Sequence, residues 1–354
     1  MGDYYADQVC DDGNAPGGKY EFACVPTIAD AMLTANAGGA VEVVAGVGIS
    51  SNDSSWGAAV SAASAADVVV LALGTDQTLA HEGRDLADIG LPGNQSALGL
   101  AVLAAAAAAG RPVVLLLVSS FPTAFDALAE GPAAVVLAYT PAFGAPALAA
   151  LLFGDANRWG RAPMTVYPRA FQDAVSLFDF GMTPGGNNPG RSYRYYSGAA
   201  GAPLVSFGAG KSYSTFALAC GGSLAPGAAA ARVACNVTNL AGPDGDEVLM
   251  LFHRPSAATV ARVAGAHPLP LSALVDFARV AVAAGRSAAV TFELGVADTL
   301  SFTNEDGARA LYPGMHFVDV FDGSANVTIA LVLETPGDAV VVVRRPPRPP
   351  PAGV

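Results

Sequence analysis

The stretch Ala65-Ala66-Asp67-Val68-Val69-Val70-Leu71-Ala72-Leu73-Gly74-Thr75-Asp76-Gln77-Thr78 decides the fold. Its centre is a short β-branched and aliphatic run with an Ala-rich segment before it and a polar loop after Gly74. A strand that follows a helix and opens onto a loop is one unit of a parallel sheet with crossover helices. Outward from it the same alternation recurs. Strands are expected at Val41–Val44, Val68–Leu73, Val113–Val118 and Val135–Ala138, and helices at Ser55–Ala66 and Ala145–Leu152. Between the second and third strands, Pro92-Gly93-Asn94 announces a helix of Ala and Leu that stops at Gly110. Its apolar residues lie on all sides, so it is expected to be well buried. The fold class read from this part is α/β, a doubly wound sandwich with a mainly parallel sheet.

After about Phe216 the pattern changes to short strand-like runs at turn-rich intervals, among them Ala231–Val237, Glu247–Phe252, Ala289–Leu294 and Met315–Phe321. Such spacing describes an all-β sandwich. The domains expected are therefore residues 1–216, residues 217–340 and a tail, 341–354. The tail holds Arg-Arg-Pro-Pro-Arg-Pro-Pro-Pro at 344–351, which is polyproline-like and expected to be mobile. The stretch Pro163–Thr215 reads as extended, loop-heavy packing and not as a clean linker.

Composition bounds the function. The 354 residues include 18 basic and 30 acidic side chains, a net charge of −12. Nucleic acid and anionic membranes reward positive charge, so neither is expected as a partner, and a neutral or cationic ligand fits better. The mean hydropathy is +0.42, yet no apolar run reaches the ~18–20 residues of a membrane span, because Arg111 and Pro112 break the longest. With 40 Gly and 25 Pro, the apolar content is cut into short elements by turns, which favours a sheet over a helical bundle.

Four cysteines, Cys10, Cys24, Cys220 and Cys235, form two close pairs without Cys-x-x-Cys spacing, and Asn52, Asn94, Asn236 and Asn326 each begin an Asn-x-Ser/Thr triplet. Two local disulfides, Cys10–Cys24 and Cys220–Cys235, and a secretory route are expected. Met1 opens directly onto Gly-Asp-Tyr-Tyr without a basic and then apolar leader, so a secreted protein would need a beginning that this chain lacks.

In an open α/β sheet the site lies at the carboxyl ends of the strands. The loop after Leu73 places Asp76, His81, Glu82, Arg84 and Asp85 within ten residues of a charge-poor chain. A carboxyl group there can act as general acid when partial burial lifts it toward neutrality, with a guanidinium to orient a neighbouring carboxylate. The bland alternative has Arg84 paired with Asp76 or Asp85 while Glu82 faces water. Phosphate-binding glycine loops, His-Glu-x-x-His and Gly-x-Ser-x-Gly are all missing, and His253, His267 and His316 are scattered singly, as structural histidines are.

Ala65–Thr78, with His81-Glu82-Gly83-Arg84-Asp85 and Leu91-Pro92-Gly93-Asn94-Gln95, resembles the C-terminal α/β sandwich domain of glycoside hydrolase family 3, in particular its plant-type β-xylosidases. The likeness continues in order through residues 111–117, 152–168, Pro189-Gly190-Arg191-Ser192-Tyr193-Arg194-Tyr195-Tyr196 and 207–216. Residues 245–252, 274–280 and 312–316 resemble a fibronectin type III-like domain. The resemblance implies exo-acting, retaining hydrolysis of β-linked glycans, which needs two carboxyl groups about 5–5.5 Å apart. It also implies that the nucleophile belongs to a (β/α)8 barrel in cis, absent from this chain, and that the acid/base carboxyl comes from the loop after Leu73. Glu82 is then the candidate catalytic residue, with Asp76, His81 and Arg84 as substrate-binding candidates and an oligosaccharide or β-glycoside as substrate. No cofactor and no metal is implied. Similar sequences carry Glu-x-Glu where this chain has Ala80-His81-Glu82, so the acid/base role belongs either to Glu82 or to the position that Ala80 now fills. Leu86 and Tyr139–Ala145 also depart from the pattern. A non-catalytic carbohydrate-binding or structural module is the competing reading.

Overall fold

A computed structural model of the chain describes residues 25–263, 267–304, 307–335, 337 and 339–343. Cys10, Cys24 and the proline-arginine tail at 344–354 lie outside the described residues. The chain forms two compact units. One holds residues up to 156 with 164–179 and 198–206; the other holds 157–163, 180–197 and 207 onward.

In the first unit, helices α1 (Ile28–Ala35) and α2 (Gly57–Ala65) precede strand β1 (Val69–Gly74). Then come helix α3 (Gln95–Ala108), strands β2 (Val113–Val118) and β3 (Ala134–Leu137), and helix α4 (Ala145–Phe153). The three strands make a parallel sheet in the order β1-β2-β3, with Leu71 opposite Leu115 and Leu115 opposite Val135. Leu71, Leu73, Leu115 and Leu117 form its core with Leu98, Val102 and Ala106 of α3. Burying a Leu of this kind contributes roughly 2–3 kcal/mol.

Two expectations are corrected here. Residues 41–44 form no strand, and Val43 is 63% exposed. A β-branched run becomes a strand only where a neighbour offers a ladder. This one instead leads into a close approach to α3, where a Cβ on Gly46 would lie 2.5 Å from Leu98. Helix α3 is buried on one face only, through Gln95, Leu98, Gly99, Val102, Leu103 and Ala106, while Leu100 is half exposed. Alanine favours a helix without needing a core, so an Ala-rich face tolerates water.

The second unit is built on two antiparallel sheets. Strands β4 (Thr215–Ser223), β5 (Ala230–Ala241), β6 (Gly245–Pro255), β7 (Ala273–Val282) and β8 (Ser287–Gly295) are followed by β9 (Phe302–Thr303) and β10 (Arg309–Leu311). Strands β11 (Gly314–Phe321), β12 (Asn326–Leu333) and β13 (Val340–Val343) complete the set. The orders are β12-β11-β6-β7 and β4-β5-β8, with a small third sheet β13-β10-β9. Alternate residues of β5, Ala231, Val233, Cys235 and Val237, meet Leu249 and Leu251 of β6 in the sandwich core. Cys220 and Cys235 face each other across β4 and β5 and are joined by a disulfide, as expected from their spacing.

Strand β6 is enclosed on both faces. Val248, Met250 and Phe252 turn away from the sandwich core onto Tyr193, Phe207 and Phe321, with the Tyr193 and Phe207 rings stacked 4.2 Å apart. Its buried charges are matched from 157–163. Arg158 pairs with Asp246 at 2.6 Å, and Arg161 pairs with Glu247, both side chains being almost wholly enclosed. Burial pushes the Glu247 carboxyl up, and the Arg161 charge opposes it.

The histidines are not solitary. His316 donates from Nε2 to the Tyr312 carbonyl at 2.8 Å, so its Nδ1 accepts from Nε2 of His253 at 2.8 Å. His267 accepts the Tyr312 hydroxyl proton at 2.6 Å. Burial, with His316 adjacent, lowers the pKa of His253 to about 3.

Candidate functional site

The candidate loop leaves the carboxyl end of β1 at a backbone approach that admits only glycine: a Cβ on Gly74 would lie 1.8 Å from the Val118 carbonyl oxygen. Gln95, the first residue of α3 and 2% exposed, closes this point like a clamp. Its Oε1 accepts from Gly74 N–H at 2.7 Å, and its Nε2 donates to the carbonyls of Gly74 at 2.7 Å and Ile49 at 2.9 Å. One residue on, Thr75 N–H donates to Val118, and the Thr75 and Ser119 hydroxyls bond at 2.8 Å, with Thr123 donating to Ser119.

The loop then folds on its own polar groups. Asp76 accepts from the Thr78 amide at 3.0 Å and the Thr78 hydroxyl at 2.6 Å, an Asx turn. Arg84 donates to the Thr78 carbonyl at 2.6 Å. His81 and Arg84 exchange backbone hydrogen bonds across Glu82-Gly83, where Gly83 takes φ +83°, and His81 Nδ1 donates to the Glu82 carbonyl. Beyond the tip, Gln172 holds the Ile89 amide and the Ala87 carbonyl. Arg169 bridges Asp88 at 2.8 Å and Asp173 at 2.8 Å. Burial raises the Asp88 carboxyl, but the Gly90 amide and Arg169 outweigh it and hold it below its ordinary range.

Asp76, His81, Glu82 and Arg84 are thus brought into one loop, but for different work. Asp76 and Arg84 are engaged in shaping it, and among the described residues no ion pair joins Arg84 to Asp76 or Asp85. Glu82 lies exposed at the tip, whereas Ala80 is 7% exposed. A carboxyl group there can deliver a proton to a ligand that a facing surface encloses. Among the described residues no group of three or more His, Cys, Asp or Glu side chains could hold a metal, and no helix is long and apolar enough to cross a membrane.

Sequence reading missed the residues that build the strand ends. In the sequence Gln95 is only the last residue of the Leu91-Pro92-Gly93-Asn94-Gln95 stretch. Tyr139, just past β3, takes φ +52° and has a buried hydroxyl with no hydrogen-bond partner among the described residues; it lines a small apolar cavity with Leu117, Phe121 and Met164. Burial raises the Tyr139 pKa.

Comparison with known proteins places this geometry. Residues 4–213 match the glycosyl hydrolase family 3 C-terminal domain, and residues 247–324 match a fibronectin type III-like domain. A probable exo-1,4-beta-xylosidase of Aspergillus fumigatus, bxlB, is 32% identical over 317 residues, 83% of this chain and 39% of that protein. Probable beta-D-xylosidase 7 of Arabidopsis thaliana is 31% identical over 75% of this chain and 37% of its own length. Among solved structures, an exo-beta-xylosidase bound to a xylobiose aziridine probe shares the fold, with a TM-score of 0.71 at 24% identity over 88% of this chain and 42% of that one. The chain thus spans about two fifths of the length of the curated relatives it matches. With well over half of its residues under one family description, followed by the fibronectin-like match, this chain belongs to glycosyl hydrolase family 3.

Proposed function

We propose that this chain is the C-terminal part of a retaining, exo-acting β-glycosidase of the β-xylosidase kind, hydrolysing xylan- or hemicellulose-type oligosaccharides. Residues 76–85 supply the acid/base carboxyl, Glu82, to a (β/α)8 barrel in cis that bears the nucleophile, and Asp76, His81 and Arg84 shape the sugar side of the loop. One observation supports Glu82 over position 80: the first is exposed at the tip of a loop held at both ends, and the second is enclosed within it. An exposed tip is what a facing domain must cover for proton transfer to be efficient. Residues 1–216 form the hydrolase half in this reading and 217–340 the fibronectin-like part. Without the nucleophile no covalent intermediate forms, so the chain by itself turns over no glycoside at a useful rate. The Cys220–Cys235 disulfide supports an oxidising, secretory or cell-wall location for the protein, as a glycoprotein.

The test joins the chain to a family barrel and follows hydrolysis of an aryl β-xyloside. Glu82→Gln is expected to lower kcat about 10²–10⁴-fold, the usual contribution of a general acid/base. Full activity of Glu82→Gln, or brisk turnover by the chain without a barrel, would refute the proposal and favour a non-catalytic module.

A further inference from the structure

We propose that Asn236 is an N-glycosylation site whose glycan lies over the outer face of the β4-β5-β8 sheet, and that the fold closes the sequon at Asn94. The inference rests on the secretory reading above and deepens it by choosing between two of the Asn-x-Ser/Thr triplets.

At Asn94 the amide nitrogen is engaged. Its Nδ2 donates to the carbonyls of Asn52 at 2.7 Å and Asp53 at 3.1 Å, while the backbone N–H donates to Ser51 at 2.9 Å. A sugar on Nδ2 leaves one N–H where two are in use, and it would stand where the 51–53 backbone passes. Glycosylated Asn94 is therefore incompatible with this loop packing.

Asn236 is the opposite case. It is exposed on β5, the middle strand of its sheet, between the core-facing Cys235 and Val237. Its cross-strand neighbours are Ala219 on β4 and Ala289 on β8. One step along the same face stand Ala234, paired with Gly221 and Thr291, and Thr238, paired with Ala217 and Ser287. No side chain larger than threonine stands within that ring. Alanine and glycine are poor strand formers, so a solvent face made of them gains little from its own side chains. It does leave room for a sugar ring to lie flat beside the asparagine.

A second observation points to the same compartment. The Cys220–Cys235 bond, one residue along both strands, requires oxidising surroundings, and Asn-x-Thr acceptors meet their transferase there. In the transfer, Nδ2 of Asn236 bonds to the anomeric carbon of a lipid-pyrophosphate-linked oligosaccharide. The bond from that carbon to pyrophosphate oxygen breaks, the lipid pyrophosphate departs, and Nδ2 loses one proton.

The experiment expresses the full chain behind a secretion leader in yeast, with medium and cell fractions both digested by peptide N-glycosidase in ¹⁸O water and mapped by mass spectrometry. The expected result is ¹⁸O-labelled aspartate at 236, none at 94, and a glycan-sized mobility step lost in Asn236→Gln with an unchanged melting midpoint. Chain bearing the Cys220–Cys235 bond but unmodified Asn236 overturns the site and leaves the secretory reading standing. Labelling at 94 overturns the closure. Chain with free thiols and no glycan despite the leader overturns both.

Discussion

Replacing Gln95 by Leu should loosen the root of the candidate loop, and the structure says by how much. The side chain is 2% exposed and makes three hydrogen bonds, one accepted from Gly74 N–H and two donated to the Gly74 and Ile49 carbonyls. Leucine fills much the same volume, so the loss is chiefly of polar partners. A buried backbone N–H left unmet costs roughly 1–3 kcal/mol, and the two carbonyls add less because each oxygen has a second lone pair. The first unit should lose about 3 kcal/mol in total, a large fraction of the stability of an ordinary domain. Gln95→Glu keeps the shape but sets a carboxylate against two carbonyls, and should cost at least as much. The chain has two tryptophans, Trp56 in the first unit and Trp159 in the second, so a Trp159→Phe background lets Trp56 fluorescence report urea unfolding of the first unit alone. Hydrogen exchange of residues 75–79 should rise in parallel. A loss below about 0.5 kcal/mol for Gln95→Leu would show that the clamp is not what fixes the loop.

Two further outcomes follow from the second unit. Arg161→Met strands the enclosed Glu247 and should destabilise that unit by about 3–5 kcal/mol, whereas Arg161→Met with Glu247→Met should recover most of the loss, measured by chemical denaturation. His253 has a folded pKa near 3 against 6.5 unfolded, and His316 is also lowered by burial, against the opposing Tyr312 carbonyl. The unfolded chain therefore binds more protons between these values. Stability is fully present above pH 6.5 and falls as acid is added toward pH 3, at up to about 1.4 kcal/mol per pH unit per histidine. Denaturation midpoints at pH 7.5 and 4.5 check this, and His253→Phe should flatten the dependence.

The parallel layer was legible because β1, β2, α3 and α4 carry their signals locally: aliphatic runs, a Pro-Gly-Asn start and glycine stops. Val41–Val44 carries the same local signal without becoming a strand, since pairing depends on a neighbour that local sequence does not announce. For the same reason the sequence does not announce that Gln95, the first residue of α3, holds the end of a strand 21 residues earlier. The three histidines looked solitary because β6, the segment at residue 267 and β11 meet only in the folded unit. Within the site the legible part was the charge density at 76–85. Which of those charges shape the loop and which lies exposed at its tip was not, because that depends on the turns at Asp76 and Gly83.

The double enclosure of β6 bears on how this protein can be shortened. Arg158, Arg161, Tyr193 and Phe207 all precede the fibronectin-like match, yet each finds its counterpart on that strand. A gene trimmed just after residue 216 would retain a guanidinium with no carboxylate and a stacked aromatic pair with no floor. The sticky, poorly expressed product would reflect the cut and not the folding of the residues before it. A division of labour written in sequence order is, for this strand, not a line along which the polypeptide can be separated.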